Sequence, residues 1–255
     1  MMKHIFAFES IEEYKKHESL IQRFSDRLNE YQEILEENFA LTEAPKAIVW
    51  TSAELATSVF SKIPIPAFTN KDTIYITPDL TAWRKLMIEQ LDGKDLPHIQ
   101  HFYENFSENL LFTILAHELT HHSDLFVDEF DEERHDSIWF EEGMCEYLPK
   151  KLLLSESEFN GITAVETELV EVFTEEYGLR SLDEFGSASY KGSLSSIMFD
   201  YWRSFLAIKF LVEERYQNDV RLVFEDYRKW HDGGRKTSLS SYFNIEQMIE
   251  KIDAR

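Results

Sequence analysis

An apolar stripe that leads directly into two histidines constrains the fold of this chain more than any other feature. The apolar residues recur at the spacing of one helix face: Phe106, Leu110, Leu111, Ile114, Leu115 and Leu119. The stripe runs into HELTHH, so His117 and His121 are four residues apart and share a face of that helix. The pattern therefore predicts a packed helix that directs two imidazoles at one point.

This histidine spacing suits a divalent metal ion. Two neutral imidazoles can bind one ion, while Glu118 lies next round the helix, where its carboxylate can take a proton from a metal-bound water. Zinc prefers nitrogen and oxygen ligands in a tetrahedral site with one open position, so we predict Zn2+ as the cofactor. In the competing interpretation, both histidines lie on a solvated helix face.

A catalytic zinc site requires a third protein ligand, and an acidic motif follows the histidines. The segment 139–147 reads WFEEGMCEY and is expected on a second helix. Together, HELTHH and WFEEGMCEY resemble the gluzincin metallopeptidases, in which a glutamate before a glycine completes the site. The resemblance implies Glu142 as the third ligand, ahead of Glu141. Twenty residues separate Glu142 from His121, a slightly longer connection than is usual in that family.

Several neighbours of these motifs have expected roles of their own. Glu146 shares a helix face with Glu142 and either holds a zinc-bound imidazole or is an exposed acid. His122 is expected to point off the metal face, and Cys145 and Tyr147 are expected to pack in the core. The acids of the connection are expected to be solvated, and its histidine is an unsupported further ligand: Asp124, Asp128, Asp131, Glu132, Glu133 and His135.

The resemblance also implies a tyrosine that donates a hydrogen bond to the oxyanion of the reaction. In gluzincin aminopeptidases this tyrosine lies ten residues before a leucine, and Tyr201 and Leu211 repeat that spacing. We therefore predict Tyr201, with Tyr190 in SASYKGS as the second candidate and packing of Tyr201 in the core as the alternative. His231 is a further candidate, but WHDGG indicates the turn that ends a helix.

Charge and composition restrict the partners. The chain has 26 Lys and Arg against 48 Asp and Glu, a net charge of −22, which repels phosphates and makes nucleic acid and anionic membranes poor partners. No Gly-rich phosphate loop and no apolar run of about 20 residues is present. With the single cysteine Cys145, this pattern predicts a soluble, cytoplasmic protein whose partner is a peptide or protein substrate.

The element pattern predicts an α+β, zincin-like fold in one domain, 1–255. A small N-terminal α/β lobe (1–106) is expected to have a short sheet with strands at 46–50 and 73–77, and to be followed by a mainly helical lobe (107–255). By the resemblance, strand 73–77 is the edge strand above the active-site helix. Helices are predicted after a Ser10 cap to near Pro45, and at 52–61, 81–91, 140–154, 161–177, 195–216, 218–230 and 243–252.

These patterns lead to one functional expectation and one alternative. We expect zinc-dependent hydrolysis of peptide bonds with Glu118 as the general base, in an endopeptidase, since no Gly-x-Met-Glu-Asn segment of the aminopeptidases is present. The alternative is a zinc-binding but non-hydrolytic structural or regulatory protein. The resemblance is strong over 107–150, moderate over 195–230 and faint over 45–106.

Overall fold

The computed structural model describes residues 2–128, 130 and 136–245. It confirms the α+β class, with a four-stranded sheet near the N-terminus and a mainly helical C-terminal part. Contacts divide the chain into two units, Met1–Phe126 with Leu148–Leu153, and Val127–Tyr147 with Leu154–Arg255. The expectation of one domain with lobes 1–106 and 107–255 stays a prediction.

The sheet of the first unit is mixed. Its strands are β1 (Lys3–Ala7), β2 (Ala47–Thr51), β3 (Ala67–Asn70) and β4 (Thr73–Ile76), in the order β1-β2-β4-β3. Strands β1, β2 and β4 are parallel, while β3 is antiparallel to β4. Strand β2 is buried along its whole length, as expected for a central strand.

The prediction that strand 73–77 forms the edge of the sheet is wrong. Strand β4 pairs with β2 on one side and β3 on the other, so the edge strand beside it is β3. The two are joined by a tight turn in which the Asn70 side chain accepts from the backbone N–H groups of Asp72 and Thr73, each at 3.0 Å. Sequence reasoning missed β3 because Pro64 and Pro66 precede it closely and indicate a break in structure.

Helix α1 (Ile11–Asn38) begins at the predicted cap, where Ser10 Oγ accepts from the N–H of Glu13 at 3.1 Å. It ends before the predicted Pro45. Its buried stripe faces the core of this unit: Leu20, Ile21, Phe24, Leu28, Tyr31 and Leu35. The Phe24 ring meets Phe112 edge-on with centroids 5.3 Å apart, so α1 supports the helix that carries the histidines.

Four further helices complete the described part of the first unit. They are α2 (Ala53–Leu55), which continues as a π-helical turn over Ala56–Phe60, α3 (Leu80–Glu89), α4 (Pro97–Glu104) and α5 (Glu108–Thr120). Ser52 caps α2, accepting from the N–H of Leu55 at 3.3 Å. Pro97 begins α4, since proline suits the first position of a helix.

The second unit is helical. Helix α6 (Ile138–Leu153) begins in it and is followed by α7 (Glu156–Tyr177), α8 (Leu194–Phe210) with a π-helical turn Leu211–Arg215, α9 (Val220–Asp232) and α10 (Leu239–Tyr242). Each of the four helices predicted between residues 140 and 230 corresponds to one of α6–α9. The predicted helix 243–252 lies mostly outside the described residues.

Candidate metal centre

The C-terminal end of α5 carries the histidine pair. The helix begins where Ser107 Oγ accepts from the N–H of Leu110 at 3.2 Å, and its backbone remains helical at His121, with φ −55° and ψ −22°. The four-residue spacing is therefore kept up to the last turn, and the Nε2 atoms of His117 and His121 lie 3.1 Å apart. Two imidazole nitrogens thus meet at one point, as the sequence spacing predicts.

Hydrogen bonds from α1 and β3 hold this end of α5 in place. Thr120 Oγ1 donates to the carbonyl of Ala116 at 2.8 Å, so the Tyr31 hydroxyl, also at 2.8 Å, is the donor to Thr120. His122 Nε2 lies 2.8 Å from Thr69 Oγ1 on the edge strand. Burial, together with the neighbouring His121, lowers the pKa of His122 to about 3, so this imidazole is neutral.

Glu118 is removed from solvent together with His117. The two residues are 7% and 6% exposed, while His121 is half-buried. The competing interpretation, in which both histidines lie on a solvated helix face, does not fit the burial of His117. A carboxylate at a buried position interacts strongly with nearby charge, which suits a group that handles a proton.

The packing of α6 against α8 explains why the Glu-Gly motif contains a glycine. A Cβ at Gly143 would lie 2.5 Å from the backbone oxygen of Ser204 and 2.6 Å from Cγ1 of Ile208, both on α8. Only glycine permits this approach of α6 to α8. Glu142, the preceding residue, is buried at 7% exposure in the same packed region of the unit.

The two tyrosine candidates contact each other, and one of them contacts Glu142. The Tyr190 hydroxyl donates to Glu142 Oε1 at 2.9 Å, and the Tyr201 hydroxyl lies 3.1 Å from that of Tyr190. Burial, with the charge of Glu142, raises the pKa of Tyr190 well above its usual value, so its hydroxyl keeps its proton. The structure brings together two residues that sequence reasoning treated as alternatives, while the oxyanion role stays a prediction.

The predicted ligands form a group that could hold a metal ion. One donor atom from each of His117, His121 and Glu142 lies within 4.8 Å of the other two. Two imidazole nitrogens and one carboxylate oxygen are a ligand set of catalytic zinc sites with an open position. A metal centre is therefore supported, and its identity as zinc stays a prediction. Glu141 is buried but does not belong to this group.

Most of the neighbouring side chains behave as predicted. Cys145 and Tyr147 are fully buried, and the Tyr147 hydroxyl donates to Glu213 at 3.2 Å. His231 is half-buried in the last turn of α9, just before the glycines that end it, as WHDGG predicts. Glu146 is half-buried, and its expected role toward an imidazole stays a prediction.

Of the described acids in the connection between α5 and α6, Asp124 is exposed as predicted, while Asp128 is held in an ion pair. Asp124 accepts from the backbone N–H of Thr42 at 3.3 Å, and Asp128 forms an ion pair with Arg235 and accepts from Ser137. Each of these contacts holds part of the connection within its own unit. Thr42 and Arg235 are about 80 or more residues away from their partners in the sequence, so the sequence does not indicate these contacts. The other candidates lie outside the described residues: Asp131, Glu132, Glu133 and His135.

Comparison of the chain with protein-family models, with curated proteins and with solved structures finds no match. The gluzincin resemblance therefore rests on sequence patterns alone and stays a prediction. In the described part of the chain, no helix combines the length and the apolar character needed to cross a membrane. The cytoplasmic location stays a prediction.

Proposed function

We propose that this protein is a zinc-dependent peptidase that hydrolyses peptide bonds within peptides or proteins. The observation that carries the proposal is the meeting of the His117 and His121 Nε2 atoms at 3.1 Å, with a donor atom of Glu142 within 4.8 Å of the pair. The burial of Glu118 beside them and the HELTHH and WFEEGMCEY motifs support it further.

The side chains have separate roles in this proposal. His117, His121 and Glu142 hold the ion. When bound, zinc polarises a substrate carbonyl and lowers the pKa of a water molecule to about 7. Glu118 accepts the proton of the attacking water on its carboxylate and passes it to the leaving amine nitrogen. Tyr201, or Tyr190, donates a hydrogen bond to the carbonyl oxygen of the substrate as negative charge develops there.

The proposal is tested with the full chain and its Glu118→Gln variant. Zinc content is measured by elemental analysis, and cleavage is measured on a peptide library with and without a chelator. We expect stoichiometric zinc in both proteins and a loss of cleavage of about 10²–10⁴-fold in Glu118→Gln, because the amide cannot accept the proton.

Each outcome of that experiment has a definite meaning. Cleavage that persists in Glu118→Gln removes Glu118 from the mechanism. Bound zinc without cleavage by the unaltered chain favours the non-hydrolytic alternative, and a chain that takes up no zinc rejects the metal centre.

A further inference from the structure

A line of three hydrogen-bonding groups ends on the proposed metal ligand Glu142. The Tyr201 hydroxyl lies 3.1 Å from the Tyr190 hydroxyl, which donates to Glu142 Oε1 at 2.9 Å. The three residues come from different segments of the second unit: α8, the turn Ser189–Lys191 and α6. The inference drawn below from this line rests on the proposed function, in which Glu142 is a zinc ligand.

Counting protons gives the direction of these hydrogen bonds. A carboxylate that binds a metal is deprotonated and can only accept. The single hydroxyl proton of Tyr190 is therefore directed to Glu142, and the Tyr190 oxygen accepts from Tyr201. The line runs from Tyr201 to Tyr190 to Glu142.

The two tyrosines differ in the effect on Glu142 if they donated a hydrogen bond to a substrate instead. If Tyr190 donated to a substrate oxygen, Glu142 would lose this hydrogen bond. If Tyr201 did so, Tyr190 could still donate to Glu142, because its oxygen does not need to accept a hydrogen bond in order to donate one. Only Tyr201 can donate its proton to a substrate while Glu142 keeps its hydrogen bond from Tyr190.

Packing keeps the two hydroxyls in this arrangement. The ring of Phe185, which is 1% exposed, lies 5.8 Å from the Tyr190 ring and 5.3 Å from the Tyr201 ring, measured between centroids. Tyr201 is three residues before Ser204 on α8, so it lies near the close contact of α8 with Gly143. The hydroxyls are thus held by buried contacts on more than one side.

We propose that Tyr190 is a positioning residue that orients the Glu142 carboxylate for metal binding, and that Tyr201 alone is available to the substrate. The hydrogen bond to Oε1 restricts rotation of the carboxylate, whose other oxygen can serve as the ligand. Loss of a hydrogen bond to a ligand of this kind typically costs 10–100-fold in metal affinity.

The test measures zinc affinity by competition with a chromophoric chelator in the full chain. Tyr190→Phe is expected to weaken zinc binding by about 10–100-fold. Tyr201→Phe is expected to leave zinc affinity nearly unchanged and, at saturating zinc, to lower kcat by about 10²–10³-fold. Tyr216→Phe is the matched control, since it removes a tyrosine–carboxylate hydrogen bond of 2.6 Å, to Asp226, that does not involve Glu142.

Folding of each variant is checked by circular dichroism and thermal unfolding with chelator present. Tyr190→Met, which also lacks the hydroxyl, replaces Tyr190→Phe if that variant does not fold. Unchanged zinc affinity in a folded Tyr190 variant overturns the inference, as does an equal loss of affinity in Tyr201→Phe. If the unaltered chain binds no zinc, the proposed function fails instead, so the two failures are distinguishable.

Discussion

Single residues determine whether α6 can hold Glu142 in its observed position. Gly143 is the clearest case, because the space beside its Cα is filled by the backbone of α8. Glutamate before glycine was noticed in the sequence as a family-like pattern, but the sequence does not say why a glycine is needed. The packing supplies that reason, and it also ties the position of Glu142 to that of α8.

In Gly143→Ala the new Cβ meets a backbone oxygen that must shift, which costs about 1–3 kcal/mol. Alanine gains roughly 1 kcal/mol over glycine within a helix, so we expect a net destabilisation of up to about 2 kcal/mol. The free energy of unfolding is measured by denaturant titration with chelator present. Gly186→Ala is the matched control, since its nearest neighbour would be 3.9 Å away, and equal stability of both variants would contradict the packing argument.

At the scale of elements, most helices and the strands β2 and β4 follow from sequence patterns, whereas β1 and β3 do not. Helix α1 has a cap and a buried stripe that can be read directly, and α5 is similar. Strand β1 was missed because it is mostly exposed, and β3 was missed because Pro64 and Pro66 closely precede it. Each of these strands depends on pairing with a neighbouring strand, so its own residues show little of the sequence pattern that predicts a strand.

The attachment of β1 to β2 is expected to depend on pH. Trp50 Nε1 donates to His4 Nδ1 at 2.9 Å, which requires an unprotonated Nδ1, and burial lowers the pKa of His4 below its usual 6.5. The unfolded chain therefore takes up this proton more readily than the folded one. The stabilising contribution is complete above pH 6.5 and decreases as the pH falls below that value.

This dependence is measured as the free energy of unfolding between pH 7.5 and 5 for the unaltered chain and His4→Gln, which does not titrate there. The pH dependence is expected to be smaller in His4→Gln. His101→Gln, at an exposed histidine of α4, is the control and is expected to behave like the unaltered chain. Identical slopes in all three proteins would show that His4 does not contribute.

At the scale of the whole molecule, the proposed function assigns tasks to a few of the 48 acidic residues. Glu118 and Glu142 are buried near the histidines in the sequence motifs, while many others lie exposed on helix surfaces. The net charge of −22 thus describes mainly the surface, and it is consistent with a preference for cations over polyanions.

Metal binding is expected to stabilise the folded chain as a whole. A ligand that binds only the folded state at 100 times its Kd adds about 2.7 kcal/mol to the free energy of unfolding. Zinc should therefore raise the unfolding temperature of the unaltered chain after chelator has been removed. His121→Ala should lose this increase, whereas His101→Gln should keep it. An increase that is the same in His121→Ala would place the bound zinc elsewhere.

The sequence by itself determined the histidine pair, because a four-residue spacing on a helix is a local property that needs no partner. It also predicted most of the helical segments and, by resemblance, Glu142 as the third ligand. Tertiary structure alone decided which strand forms the sheet edge, why Gly143 must be glycine, and that Tyr201 lies beside Tyr190, which donates to Glu142. These features join residues that are distant in the chain, and such contacts exist only after the elements have packed.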